Sequence, residues 1–474
     1  MTVPSLFVSL VAAALAGSSG GKGFAPAKPK PARSASTADA PAAAPPITEF
    51  LAWAEKEGIK TLAPIAVQDF DGVRGVGATK ALEAGASVLQ VPTRLALQVN
   101  SLSKCPRWCE EEAWKASKWD ARLAMMLLRE ERDGSSELKP WLQQLPRTFD
   151  TPAQNPTLRA ALGDVGYPSL LKAVDKQQRE WDASRARAPD APSKESWDWA
   201  MSVVRSRAFS GPYSPGTFVG ALVQLFGAAT LALGYALVVG GAGASDQALD
   251  GFLFASVFVL CNELVFGPRF TTAKRYAVCP WIDMLNHDGA LGGSELAYEY
   301  FSDAFTARLD YDAGPVPQGG QCLISYGPRT NDVLLQYYGF VQEGNPHDVY
   351  AMDQEELILR VNEARPLPPD ALPALKAAGL VDAEAPVTLT PSGGDEIAIR
   401  LVRLLTHPAL AARVDAGRDP LPDAAAEAEA KRTLAAVARA LHAKLPSEHA
   451  VPVVDAFLRE KRRILEASAA ALER

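Results

Sequence analysis

The amino-acid sequence predicts an α+β fold in which short sheets surround a helical insert and an all-α C-terminal domain follows. Three observations carry this reading. Val73 to Val91 reads as strand, Gly turn, strand; residues 101 to 205 have helical periodicity; and strand-like runs return at 276–285, 296–309 and 321–326 before the chain turns helical from about residue 352.

Taken in order, Phe50, Leu51, Trp53, Ala54 and Ile59 recur at helical spacing. Arg74-Gly75-Val76-Gly77-Ala78, Leu82-Glu83-Ala84-Gly85 and Val88-Leu89-Gln90-Val91 then form a meander that Pro92 ends. Leu123, Met126 and Leu127 mark a helix face, and Pro140 opens another before Trp141, Leu142 and Leu145. A helix spans Asp198 to Phe209, and a further one Thr330 to Tyr338. Ile399, Val402 and Leu405, stopped by Pro408, and then Leu434, Val437, Leu441 and Leu445 give the last part its amphipathic stripes. The expected division is a presequence over 1–46, a catalytic domain over 47–351 with inserts at about 100–200 and 211–268, and a helical domain over 352–474.

Composition narrows the function. A net charge of −7 with no basic run argues against nucleic acid as the partner. The five cysteines hold no Cys-x-x-Cys pair, and no two of the five histidines stand three, four or five apart, so neither a disulfide scaffold nor a metal site is expected. At the N-terminus, uncharged Val3 to Leu15 and small residues to Gly21 precede Phe24-Ala25-Pro26, and the stretch from Lys22 to Pro46 carries four basic residues against Asp39. The two segments in series resemble a bipartite plastid presequence; a secretory signal with a flexible linker is the alternative. Gly211 to Ser245 lacks charge, and Phe218 to Val239 is long enough to cross a bilayer core of roughly 30 Å. With Gly251 to Phe266 it makes a hairpin over 217–266 that either enters a membrane or packs on the catalytic domain, and in both cases returns the chain to its starting point.

Three segments carry chemistry. Gly75-Val76-Gly77 lacks the third glycine of a dinucleotide fingerprint, Lys80 standing there, and a strand follows where a helix is needed. Trp281-Ile282-Asp283-Met284-Leu285-Asn286-His287 ends an apolar run in a carboxamide and an imidazole, which tie loops together or bind a polar ligand. Leu323-Ile324-Ser325-Tyr326-Gly327-Pro328 puts a tyrosine at a strand end before a sharp turn, ahead of Leu334 to Phe340.

In this order and spacing the segments resemble the SET methyltransferases with a split catalytic domain, the Rubisco large-subunit methyltransferase-like branch, over roughly residues 47–474. The resemblance implies a SET-type β-fold of short sheets, S-adenosyl-L-methionine as cofactor, and a protein substrate, with Rubisco large subunit and plastid aldolase as the substrates it points to. It assigns Tyr326 as the catalytic tyrosine. Gly72, Val73, Arg74, Arg207, Asn286, His287 and Tyr338 fall on cofactor-side positions, and Ser206, Asp283 and Tyr298 on the substrate channel. Gly211 departs from the basic residue the branch often has four after the arginine. The implied reaction is in-line methyl transfer to a deprotonated lysine amine. The rivals are histidine methylation by the same fold, whose actin-modifying representative has Asn where Phe209 stands here, and a silent membrane-associated scaffold.

Overall fold

The computed structural model describes residues 47–101, 103–211, 274–299, 302–377, 379, 381–382, 385–411 and 424–474. The expected presequence and the apolar hairpin lie outside the described residues. Among the described residues no helix is long and apolar enough to cross a membrane.

Helix α1 (Ile47–Lys56) leads into β1 (Lys60–Thr61), β2 (Ile65–Phe70) and β3 (Val73–Ala78). β2 and β3 pair antiparallel through an Asp71-Gly72 turn in which both residues have positive φ, 54° and 82°. That Asp-Gly pair is the primed hairpin signal that the expected meander, starting only at Val73, did not use. β4 (Ser87–Pro92) joins β1 and the hairpin of β9 (Glu295–Glu299) and β10 (Ala304–Arg308) in a four-stranded sheet of order β1-β4-β10-β9. The single strand expected over 296–309 is therefore two, turned at Asp303 with φ 44°. β5 (Leu97–Val99) pairs with β7 (Arg275–Val278), which also pairs with β6 (Phe209–Gly211), so Gly211 stands opposite Arg275. The chain thus leaves at 211 and comes back at 275 to the same place, as the sequence required.

The 100–200 insert is helical and feeds two cores. Helices α2 (Glu111–Ala116), α3 (Trp119–Arg132), α4 (Lys139–Leu142) and α7 (Lys194–Arg207) bury Trp114, Leu123, Leu127, Trp141 and Trp197 against the sheets. Helices α5 (Pro156–Asp164) and α6 (Pro168–Arg185) instead give Leu158, Leu162, Leu170 and Val174 to a second core around Leu405, Leu441 and Phe457. That core also takes Leu335 from α8 (Asn331–Tyr338). The C-terminal part is largely helical, with α9 (Gln354–Ala364), α10 (Ala371–Ala377), α11 (Glu396–Thr406), α12 (Pro408–Ala411), α13 (Ala424–Lys444) and α14 (Pro452–Leu472). It is not all-α. A three-stranded sheet of β12 (Tyr350–Asp353), β13 (Pro386–Thr390) and β14 (Gly393–Gly394) lies within it, the other short strands being β8 (Asn286–His287) and β11 (Leu323–Ile324). Strands of five residues or fewer between long amphipathic helices leave too little alternation to read.

Candidate active site

The site is assembled where β8 runs parallel to β11, with Asn286 opposite Leu323 and His287 opposite Ile324. The β3 backbone lies alongside: Asn286 Nδ2 donates to the Arg74 carbonyl at 3.1 Å, and Cys322 N donates to Val76 O at 2.8 Å. A Cβ on Gly75 would stand 2.5 Å from Gln321 Nε2 and 2.7 Å from Asn286 Nδ2, so this glycine lets the two amides rest on the strand. Gly72 has a different place. It forms the exposed hairpin tip, its N–H donating to Asp69 Oδ1 at 2.8 Å.

Tyr326 N donates to His287 Nδ1 at 3.0 Å, which leaves a neutral imidazole its proton on Nε2. Burial lowers the His287 pKa to about 4, so the ring is uncharged at neutral pH. Nε2 itself is buried without a hydrogen-bond partner among the described residues. The rings of His287 and Tyr326 stack at 4.8 Å, those of Tyr326 and Tyr338 at 5.1 Å, and Phe340 closes against Tyr338 at 6.2 Å. The Tyr326 hydroxyl donates to Leu285 O at 2.8 Å and so presents its oxygen as an acceptor. Tyr338 is held in this column because α8 ends on it: Thr330 Oγ1 caps the helix start and Gly339, φ 75°, ends it. Any Cβ at Gly339 would strike Asp150 O at 2.3 Å.

Beside the column is a charged cluster. α7 delivers Arg207 in its last turn, where Nε lies 3.5 Å from Asp283 Oδ2 and Nη1 donates to Ser206 Oγ at 2.9 Å. The Ser206 hydroxyl in turn donates to Ser202 O at 2.7 Å. The Asp283 side chain is 2% exposed and accepts from Trp141 Nε1 at 3.2 Å. Burial raises its pKa, opposed by Arg207, the Trp141 indole and Arg74. The Arg74 guanidinium donates to Gln144 O at 2.6 Å and Oε1 at 3.3 Å; burial lowers its pKa, while Asp283 acts to raise it. Arg74 therefore ties the cluster, through its side chain, to the Asn286 strand, through its carbonyl. Burial raises the Tyr338 pKa, against Arg329, Arg205 and Arg207, which keeps the phenol neutral beside these cations. Arg207 Nε and Asp283 Oδ1 are buried without hydrogen-bond partners among the described residues.

Tyr298 joins by packing: its ring meets Phe305 edge-on at 6.0 Å, Phe305 meets Phe209 at 5.5 Å, and its hydroxyl donates to Asp303 Oδ1 at 2.8 Å. Val73 opens β3 next to the hairpin tip. Trp141, Gln144, Gln321 and Phe340 escaped the sequence reading. Only Gln144, a buried polar residue in an apolar stretch between Trp141 and Leu145, carried a signal, because nothing in helical spacing tells where an indole N–H is aimed.

Comparison with known proteins decides the architecture. Over 91% of this chain and 92% of theirs, the structure matches a SET domain of LSMT bound to lysine and AdoHcy, with a TM-score of 0.57 at 16% identity. It also matches Rubisco LSMT bound to sinefungin and monomethyllysine over 90% and 92%, with a TM-score of 0.53 at 18% identity. The chain has the SET-domain fold. No protein-family model matches it. In sequence it is 23% identical over 318 residues to actin-histidine N-methyltransferase of Danio rerio, covering 64% of this chain and 43% of that one. It is 21% identical over 327 residues to SET domain-containing protein 4 of Artemia parthenogenetica, covering 67% and 68%. With Protein SET DOMAIN GROUP 40 of Arabidopsis thaliana the identity is 24% over 324 residues, covering 63% and 59%. The chain thus spans less than half of the first relative's length. Within the SET fold described here, the Asn286-His287 pair and the Tyr326–Tyr338 column lie on adjoining segments, joined by the parallel β8–β11 ladder.

Proposed function

We propose that this protein is an S-adenosyl-L-methionine-dependent protein-lysine N-methyltransferase acting on a plastid protein, Rubisco large subunit or aldolase being the substrates the resemblance points to. The observation that carries the reading is the Tyr326 hydroxyl, fixed on Leu285 O within a SET fold and stacked on the His287 ring. The donor set fits the cofactor: His287 Nε2–H and Arg207 Nε–H are buried donors awaiting acceptors among the described residues, and a purine and a carboxylate offer acceptors. Asn286, His287 and Arg207 would hold it, with the β3 backbone at Val73 and Arg74 and the Tyr338 ring alongside. When bound, the cofactor supplies an electrophilic methyl group on sulfonium.

The chain's own residues do the rest. An ammonium has no lone pair, so the lysine must release a proton to solvent before it attacks; burial and the Arg207 and Arg74 guanidiniums favour the neutral amine, and the Asp283 carboxylate works against it. The Tyr326 oxygen, its proton directed to Leu285 O, accepts weak but directional contacts from the polarised methyl or the attacking amine. Ser206 and Asp283 line the approach. Histidine methylation is the rival reading, supported by the zebrafish relative's name. Against it stands Phe209, whose ring packs edge-on to Phe305 and offers an apolar wall to a lysine stem. Labelled methyl transfer from the cofactor into a plastid extract, followed by hydrolysis, tests all of this. Label in methyllysine is the expected result; label in methylhistidine selects the rival, and no label removes the enzyme reading. A fluorescent fusion of residues 1–46 that is secreted or stays in the endoplasmic reticulum removes the plastid.

A further inference from the structure

Lys461 on α14 is a fully buried lysine, 0% exposed, more than a hundred residues from its hydrogen-bond partners. Its three protons are all taken: Nζ donates to Asp332 Oδ2, to Asp348 Oδ1 at 2.9 Å and to Val349 O at 2.6 Å. The ammonium also lies over the rings of Phe457 at 4.8 Å and Tyr167 at 5.7 Å, and the Tyr167 hydroxyl donates to Asp332 Oδ1 at 2.7 Å. Burial works against the charge, yet Asp332 and Asp348 hold the lysine above its ordinary range.

From this point hydrogen bonds run on to the candidate site. Asp348 accepts from Asn331 N at 2.8 Å and Asn331 Nδ2 at 3.0 Å. Asn331 Nδ2 donates to Gln342 O and Gln342 N donates to Asn331 Oδ1, both at 3.0 Å. Gln342 Nε2 then donates to Asp288 Oδ1 at 2.9 Å, while its Oε1 accepts from Gly289 N at 2.9 Å. Asp288 is the residue after His287. A second arm is shorter: Asp332 sits in the first turn of α8, the helix that ends on Tyr338. A buried ion pair can often be replaced by apolar groups of equal volume without loss of stability, so folding alone does not call for a charge here.

We infer that Lys461 is a positioning residue, through which the C-terminal helix sets the 286–289 backbone and the α8 register and thereby the affinity of the cofactor pocket. The inference rests on the proposed cofactor and on no particular substrate. In Lys461→Met the volume is filled but Asp332 and Asp348 face each other unneutralised. S-adenosylmethionine affinity, measured by calorimetry where circular dichroism shows the fold intact, should weaken about tenfold. Amide exchange at 286–289 and 329–331 in the ligand-free protein should quicken. The Lys461→Met/Asp332→Asn double variant, which restores the net charge of the cluster, should recover most of both. Gln342→Met cuts the chain at its site end without touching the lysine, and stands in if Lys461→Met does not fold; it should weaken binding similarly. A lower melting temperature with unchanged affinity and exchange, or no effect of Gln342→Met, overturns the inference. Wild-type protein that binds no cofactor overturns the proposed function instead, and the exchange measurement still decides the role of Lys461.

Discussion

Two buried charge clusters in this chain differ in how completely their atoms are satisfied. Around Lys461 the ammonium spends three protons on two carboxylates and a carbonyl, and Asp348 uses both oxygens. Around Arg207 and Asp283 the accounting does not close: Arg207 Nε, Asp283 Oδ1 and the neighbouring His287 Nε2 are buried without hydrogen-bond partners among the described residues. An unmade buried hydrogen bond costs roughly 1–3 kcal/mol. We propose that a ligand completes the bonding of the open cluster, whereas the closed one is completed by the chain itself and holds helix and loop in register.

The sharpest way to break that distinction is Tyr326→Phe, which keeps the stacked ring between His287 and Tyr338 and removes only the hydroxyl. Turnover should fall by two orders of magnitude or more, on the order of 3 kcal/mol of transition-state stabilisation. Cofactor affinity should barely move, since the hydroxyl bonds Leu285 O and is assigned to the transferring group. Single-turnover assays with labelled cofactor, run beside Tyr338→Phe, check this. A dead Tyr338→Phe next to a near-normal Tyr326→Phe reverses the two assignments.

Asn286→Ala probes the open cluster from the ligand side. It strips the Arg74 carbonyl of its donor and the pocket of a carboxamide, and should weaken cofactor binding by roughly 1–3 kcal/mol. Calorimetry reads it directly; unchanged affinity would make the Asn-His pair a loop tie.

How far the sequence carried the reading follows the same division. The candidate site was reached through the resemblance, carried by short segments of odd local chemistry: an Asn-His pair after an apolar run and a tyrosine before Gly-Pro, with Arg207 implied by the resemblance alone. The helix over 331–338 and the meander strands were legible from period and punctuation. The closed cluster was not, since Lys461 falls within a charged Arg459–Arg463 stretch that reads as a solvated face. Nothing in such a stretch reveals that one of its members points inward to carboxylates more than a hundred residues away. Trp141 and Gln144 were missed for the same reason: long-range aim is set by packing, and periodicity reports only which face is buried. The small β12–β13–β14 sheet escaped because its strands are too short to alternate.

His287 sharpens the comparison through pH. Its folded pKa is depressed to about 4, below the ordinary value of about 6.5, so between those limits the unfolded chain binds the extra proton. Its contribution is therefore present above pH 6.5 and lost as pH falls toward 4. Between pH 7 and pH 5 the loss should be on the order of 2 kcal/mol. His287→Gln, whose side-chain oxygen can still accept from Tyr326 N, should flatten that part of the urea-unfolding profile. A variant with the wild-type slope would mean that acid acts elsewhere.

The smallest effect expected on binding is that of Trp141→Phe, which separates a structural donor from a ligand-facing one. The smaller ring leaves part of the buried indole's space empty, and the indole N–H that Asp283 Oδ2 accepts at 3.2 Å disappears. Stability should fall by roughly 1–3 kcal/mol in urea melts, from the lost contacts and the lost hydrogen bond together. The more telling change is electrostatic. Burial already raises the Asp283 pKa, and the indole is one of the groups opposing that rise. Removing it moves the pKa further up, so Asp283 takes a proton at higher pH and the Arg207 and Arg74 guanidiniums lose their counter-ion. If Asp283 belongs to the open cluster, the acid limb of substrate or cofactor binding should shift to higher pH in the variant, while affinity at alkaline pH stays near the wild-type value. A stability loss with an unmoved acid limb would instead make Asp283 a structural counter-ion to Arg207 and Arg74 that no ligand senses.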